Sequence, residues 1–556
     1  MKRVIGLLLA LLIVFTLYAC KDNSTAGPAS NADTGSSSTA GSSPASGSSP
    51  SGSSTAGSPS GAQTSDAPAA QTKTGGTVNY PLGGEPTTIS AWLVRNPIDT
   101  TVASFLYEYL MKYDANGIPQ PYLLDSITGD NAALTYTLKI KDGVKFHDGS
   151  SMTADVVAWN INNYMENGVL SGSFYGSVDS AAATDPLTVV VKMNKWDSLF
   201  PYALARTCYI VSKDAFDKNG VDYFNENAVG TGPFFLENWD HGVGLSLAKF
   251  SDYWKGSPNL DGISLSIYNN PLVTQAALES GDLDVFPGIT DFSIANSLKT
   301  NSKLTLATAP IPATAYTLCY NASDPDDPLN DLRVRQAISY AINTQAILDA
   351  CLYGYGWVSS QWCLEGTPYY SNNVSGYSYN VDKAKDLLAQ AGYPNGFDTR
   401  ITLQVGSLED GAQIIAQQLA AVGINVSLNI VEVANYAGYI GGWETGMLMH
   451  PMGATNGAAS QMAANFVQGL NAGLGVVSFI HPDDLHNLIN EALAADGAKS
   501  VDLFKQVADM IFEKYCMAKV IVITQSITVW RNDLKDAGFC ESTSGAATWE
   551  KAWFDR

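Results

Sequence analysis

With 556 residues, 46% of them hydrophobic, the chain is too long for one ordinary core, and two large lobes or three subdomains are expected. A formal charge of -22 argues against a nucleic-acid partner and against electrostatic docking on anionic lipid, while leaving the sign of any pocket open. No Cys-x-x-Cys spacing occurs among the seven cysteines, which argues against zinc and dithiol redox chemistry.

At the N-terminus, Lys2 and Arg3 precede an apolar run from Val4 to Ala19, the pattern of a secretory signal. The run ends Leu17-Tyr18-Ala19-Cys20, which resembles a bacterial lipobox and makes Cys20 the expected lipid acceptor. A permanent transmembrane helix is the weaker alternative, because the run is short for a span. Residues 20–73 are Ser, Gly, Ala, Thr and Pro with almost no large apolar side chain, and such a segment cannot bury enough surface to order itself. It reads as a flexible tether with a span on the order of 40 Å. The expected location is the extracellular face of the membrane, lipid-anchored, in a Gram-positive bacterium.

The ordered part should open with a short strand from Gly75 to Tyr80, followed by a helix over Leu106 to Tyr113. Tyr136, Leu138 and Ile140 alternate with polar residues as in a half-buried strand. Asp142-Gly143 and His147-Asp148-Gly149 supply two turns, and Thr153 caps a helix whose apolar face is Val157, Ile161 and Tyr164. Strands are expected over Thr188 to Met193 and Ile263 to Tyr268, and a helix ending at Gly281. Beyond Pro310, Tyr316 to Asn321 reads as a buried strand. Asp331 to Asn343 reads as a helix in which Arg333 and Arg335 are ion-pair partners. Ile401 to Val405, a helix from Glu409 to Val422 and Gly423 to Val426 form a β-α-β unit, so this sheet should be mixed or parallel. Amphipathic helices follow over Asp484–Ala494 and Val501–Tyr515, then a strand over Val520–Thr524. Of the remaining cysteines, Cys351 and Cys363 are the most local candidate disulfide, and Cys319 reads as a buried thiol.

The run Leu138 to Gly149 with Thr153-Ala154-Asp155-Val156 resembles the signature of the family 5 solute-binding proteins of ABC importers, a class that includes peptide, nickel and oligosaccharide binders. Gly230-Thr231-Gly232-Pro233-Phe234, Tyr253-Trp254-Lys255-Gly256 and Asp331 to Asn343 match further elements of that family. The resemblance implies an α/β, two-lobed periplasmic-binding-protein-like fold of the class II or cluster C type, with mixed sheets, two hinge strands and an extra small subdomain. The implied boundaries are lobe I at 74–309 plus 525–556, lobe II at 310–524, and the extra subdomain at about 115–228. Solute would bind in the cleft and pass to ABC permease subunits, with no cofactor and with the protein as a monomer.

The resemblance also suggests site residues. The loop after the first strand holds Glu85 and Thr87, and Tyr268 and Asn269 stand where the first lobe should reach the cleft. Trp362 and Trp443 match aromatic positions of the family. Peptide-binding relatives follow their Gly-Trp with an Asp that pairs with the peptide ammonium. Here Gly442-Trp443-Glu444 leaves Glu444 as the sole candidate, because Thr445 to Pro482 carries no Asp, Glu, Lys or Arg. Peptide is the first expected ligand class, oligosaccharide the second, and nickel the third, on His450, His481 and His486. A secreted hydrolase and a surface sensor are the readings from other classes, although no G-x-S-x-G, H-E-x-x-H or phosphate-loop motif occurs.

Overall fold

The structure is a computed structural model that describes residues 74–556, apart from 115, 455–457, 467–476 and 541–546. The expected signal, Cys20 and the tether lie outside the described residues. Among the described residues no helix is long and apolar enough to cross a membrane.

The opening strand Thr77–Leu82 buries Val78, Tyr80 and Leu82 and pairs in parallel with Gly262–Ile267. Antiparallel strands Gly244–Lys249 and Phe234–Asp240 complete a four-stranded sheet. A second four-stranded sheet, Leu124–Asp130, Thr135–Ile140, Thr188–Met193 and Val178–Asp185, is antiparallel throughout. Helix Ala154–Asn167 packs on it through Val157, Ile161 and Tyr164, all buried, and the Thr153 side chain accepts from Val156 N–H at its start. One apolar core joins both sheets and takes in Leu534, Phe539, Trp549 and Phe554 from the end of the chain.

The second half is built on a seven-stranded mixed sheet. Its spine is two long antiparallel strands, Leu304–Tyr320 and Ala518–Arg531, paired along nearly their whole length. Their register shifts between Thr308 and Thr314. On one side of that irregularity they carry a small core with Leu278, Ile294 and Leu298, and on the other they carry two larger cores. The two strands thus cross between the halves of the molecule, giving the two-lobed form. The β-α-β unit is present as Asp398–Gln404, helix Glu409–Ala420 and Asn425–Val431, with the strands parallel.

Four expectations need correction. Helix Pro97–Leu106 stops where the 106–113 helix was expected to begin, and Met111–Tyr113 is a strand paired with Pro119–Pro121. The crossover strands are 17 and 14 residues long, well beyond the short apolar runs that announce them. Arg333 pairs with Asp331, but Arg335 pairs with no acid among the described residues. Its guanidinium is buried and donates instead to the carbonyls of Leu329, Asn330, Tyr515 and Cys516. Cys351 and Cys363 are both free thiols, as are the four other described cysteines.

Candidate ligand cleft

The cleft is assembled from the signature turn outward. His147 is locked as one tautomer. Its Nε2–H donates to the Gly232 carbonyl at 3.0 Å, and its Nδ1 accepts the Gly230 N–H at 3.3 Å. Burial holds its pKa down at about 4, so the ring is neutral and can serve both roles. The clamped Gly230-Thr231-Gly232 loop lies directly on the end of helix Pro97–Leu106. A Cβ on Gly230 would stand 2.1 Å from the Leu106 carbonyl, and one on Gly232 2.4 Å from the Phe105 carbonyl. Gly232 N–H donates to Leu106 O at 3.1 Å, so the helix cannot continue and Tyr107-Glu108-Tyr109 leaves it extended.

That extended turn is the floor of a cavity of about 430 Å³. Tyr107, Tyr109, Tyr122, Tyr209 and Tyr253 line it, with Tyr109 and Tyr209 stacked at 4.0 Å between ring centroids. Ala313 of the first crossover strand and Gly453, the partner of Thr314 on strand Met447–Gly453, close the far side. The cavity therefore lies between the lobes, at the register shift of the crossover strands.

Glu108 is the buried hub of the floor. Its Oε1 accepts from the hydroxyls of Tyr122 at 2.9 Å and Tyr253 at 2.7 Å. Its Oε2 accepts from Thr231 Oγ1 and Trp254 Nε1, each at 2.9 Å. Four donors fill the four lone-pair positions of a carboxylate. Burial and the Glu108 charge push the Tyr253 phenol far up, so it remains a donor. Glu550, the other lining carboxylate, is held by Lys255 at 3.2 Å. Lys112 stands 3.8 Å above the Tyr122 ring, and burial lowers its pKa.

Of the residues expected at the site, none lines this cavity. Tyr268 and Asn269 line a second one of about 370 Å³, against Pro97, Ile98 and Thr101 of the same helix, with Tyr80 and Phe286. Glu85 is spent on the neighbouring hairpin, accepting from Trp239 Nε1 and Gly242 N–H. Thr87 is tied to Asp99 through its N–H and its hydroxyl. Trp362 is fully buried, its indole donating to Thr317 Oγ1 at 3.1 Å and its ring edge-on to Phe512. Trp443 is buried against Phe479 and donates to the Gly446 carbonyl.

The Gly-Trp-Glu segment misses the cavity for a geometric reason. It precedes Met447, which pairs with Tyr320, whereas the cavity sits near Gly453, which pairs with Thr314. Six residues of strand separate the two, roughly 20 Å. Glu444 is exposed at the distal end, and Asn321 holds its backbone carbonyl. The residues that do line the cavity were missed because one stretch was read as helix. The density of Tyr, Glu and Lys from Tyr107 to Tyr113 was the available signal. Among the described residues no three His, Cys, Asp or Glu side chains gather as they would to hold an ion.

Two lobes bridged by paired strands, with a tyrosine-walled cleft at the bridge, make up the architecture of a bacterial solute-binding protein. The model of the bacterial extracellular solute-binding proteins, family 5, matches residues 119–473, and the chain belongs to that family. Glutathione-binding protein GsiB of Pectobacterium atrosepticum is 28% identical over 472 residues, covering 82% of this chain and 90% of GsiB. Among solved structures, the periplasmic binding protein DppA of Helicobacter pylori in complex with the peptide STSA superposes with a TM-score of 0.71 at 22% identity, over 87% of this chain and 99% of that one. The ABC transporter substrate-binding protein CtaP of Listeria monocytogenes superposes with a TM-score of 0.76 at 22% identity, over 87% and 100%.

Proposed function

We propose that the chain is the lipid-anchored binding subunit of an ABC importer, capturing a short peptide between its lobes and delivering it to the permease. The observation that carries this reading is the 430 Å³ interlobe cavity in a chain of this family. Its volume suits a small solute rather than a long chain. Relatives named for glutathione binding and for a bound STSA peptide support a peptide ligand. Closure follows if the ligand binds both lobes, because only a difference in affinity between open and closed forms can shift that balance. Cys20 would hold the protein at the outer face of the membrane, with residues 20–73 as the tether.

The test is the melting of protein stripped by unfolding and refolding, against short peptides, oligosaccharides and nickel. Peptides alone should raise the midpoint by several degrees. A shift with sugars or nickel and none with peptides would overturn the peptide reading. Replacement of Cys20 by Ala should move the protein from the membrane fraction to the medium.

A further inference from the structure

The lobe I wall of the cavity is cationic in a strongly acidic protein. Arg95, Arg206 and Lys112 all line it. Among the described residues none of the three has a carboxylate within ion-pair distance. Arg206 leans on the Phe174 ring and Lys112 on the Tyr122 ring, and both lie in a chain with 53 acidic residues against 31 basic ones. The two lining carboxylates are already occupied: Glu108 takes four donors and Glu550 takes Lys255. The Tyr107 hydroxyl, on a residue 1% exposed at the cavity floor, has no hydrogen-bond partner.

A buried hydroxyl without a partner is costly, and the half-buried Lys112 ammonium has no ion pair of its own, while Arg95 and Arg206 are exposed at the cavity wall and free to turn towards an anion in it. One kind of group answers all four: a ligand carboxylate, which accepts up to four hydrogen bonds and pairs bidentately with Arg. We infer that this wall captures the ligand by a carboxylate, with Arg95, Arg206 and Lys112 as the charge partners and Tyr107 as a neutral donor. The ligand end that enters the cavity is then the acidic one. This inference rests on the reading of the cavity as the solute site.

The experiment titrates stripped protein with four probes: glutathione, trialanine, trialanine amide and N-acetyl-trialanine. Glutathione carries two carboxylates and one α-ammonium, trialanine one of each, the acetylated peptide a carboxylate and no ammonium, and the amide an ammonium and no carboxylate. The carboxylate-bearing probes should bind, the amide should bind at least tenfold more weakly, and affinity should fall with salt. Arg95→Gln and Arg206→Gln change exposed side chains and leave the fold intact. Each should weaken the acids about tenfold or more and leave the amide unaffected. Arg206→Glu should reverse the preference towards the amide, which loss of packing alone could not do. Equal binding of acid and amide, or no effect of either Arg variant, overturns the carboxylate assignment and leaves the solute-binding reading standing. A stripped, folded protein that binds none of the four overturns both.

Discussion

At the scale of single residues, the signature histidine is a clamp whose protonation state matters. His147 has a folded pKa of about 4 against an ordinary 6.5, so the folded form binds its proton less readily than the unfolded chain. Its contribution is complete above pH 6.5 and is lost as pH falls towards 4, roughly 3 kcal/mol in all. His450, whose pKa burial also lowers to about 4, adds in the same window and direction. Melting at pH 7.5 and 4.5 checks this. His147→Gln should lower the midpoint at pH 7.5, and the gap from the parent should narrow at pH 4.5. Glu108→Ala would orphan four donors in a closed site and should cost about 3–5 kcal/mol in urea unfolding. The sequence announced His147 as a turn residue through its motif. Glu108 carried no such mark, because its donors Tyr122, Thr231, Tyr253 and Trp254 come from distant parts of the chain.

Among elements, those with a local cause were legible. Thr153 and the spacing of Val157, Ile161 and Tyr164 set the helix Ala154–Asn167, and Asp331 caps Leu332–Ala341. The end of helix Pro97–Leu106 was not legible, since it is imposed by a loop more than a hundred residues later. Gly230→Ala tests that imposition: its methyl would meet the Leu106 carbonyl and the Tyr107 ring. The variant should be destabilised by a few kcal/mol and should also bind ligand more weakly, because the displaced turn is the cavity floor. A calorimetric scan with and without peptide separates the two effects. The crossover strands were half-read for a related reason. Their central portions, with Pro310 and Pro312, lack the apolar alternation of their ends, and only pairing with each other makes them continuous.

For the molecule as a whole, the two-lobed plan was legible from motifs spread along the chain, whereas the cleft was not. A cavity made by a turn, a C-terminal segment, one crossover strand and its neighbour Met447–Gly453 has no signature in any one stretch. Those crossover strands also set the order of events in folding. Thr305 is bonded to Asn532, 227 residues away, and the ladder between them spans both lobes. The seven-stranded sheet cannot close, and the first half's core lacks Leu534, Phe539, Trp549 and Phe554, until the last tenth of the polypeptide is present. Chains of such high contact order fold slowly. A polypeptide cut before Ala518 should therefore remain protease-sensitive, with neither lobe protected, in a limited-digestion assay against the full chain. Until that final strand pairs, the apolar edge of its partner Leu304–Tyr320 stays open, so the segment made last is also the one that hides the molecule's longest unpaired strand from proteases and from other copies.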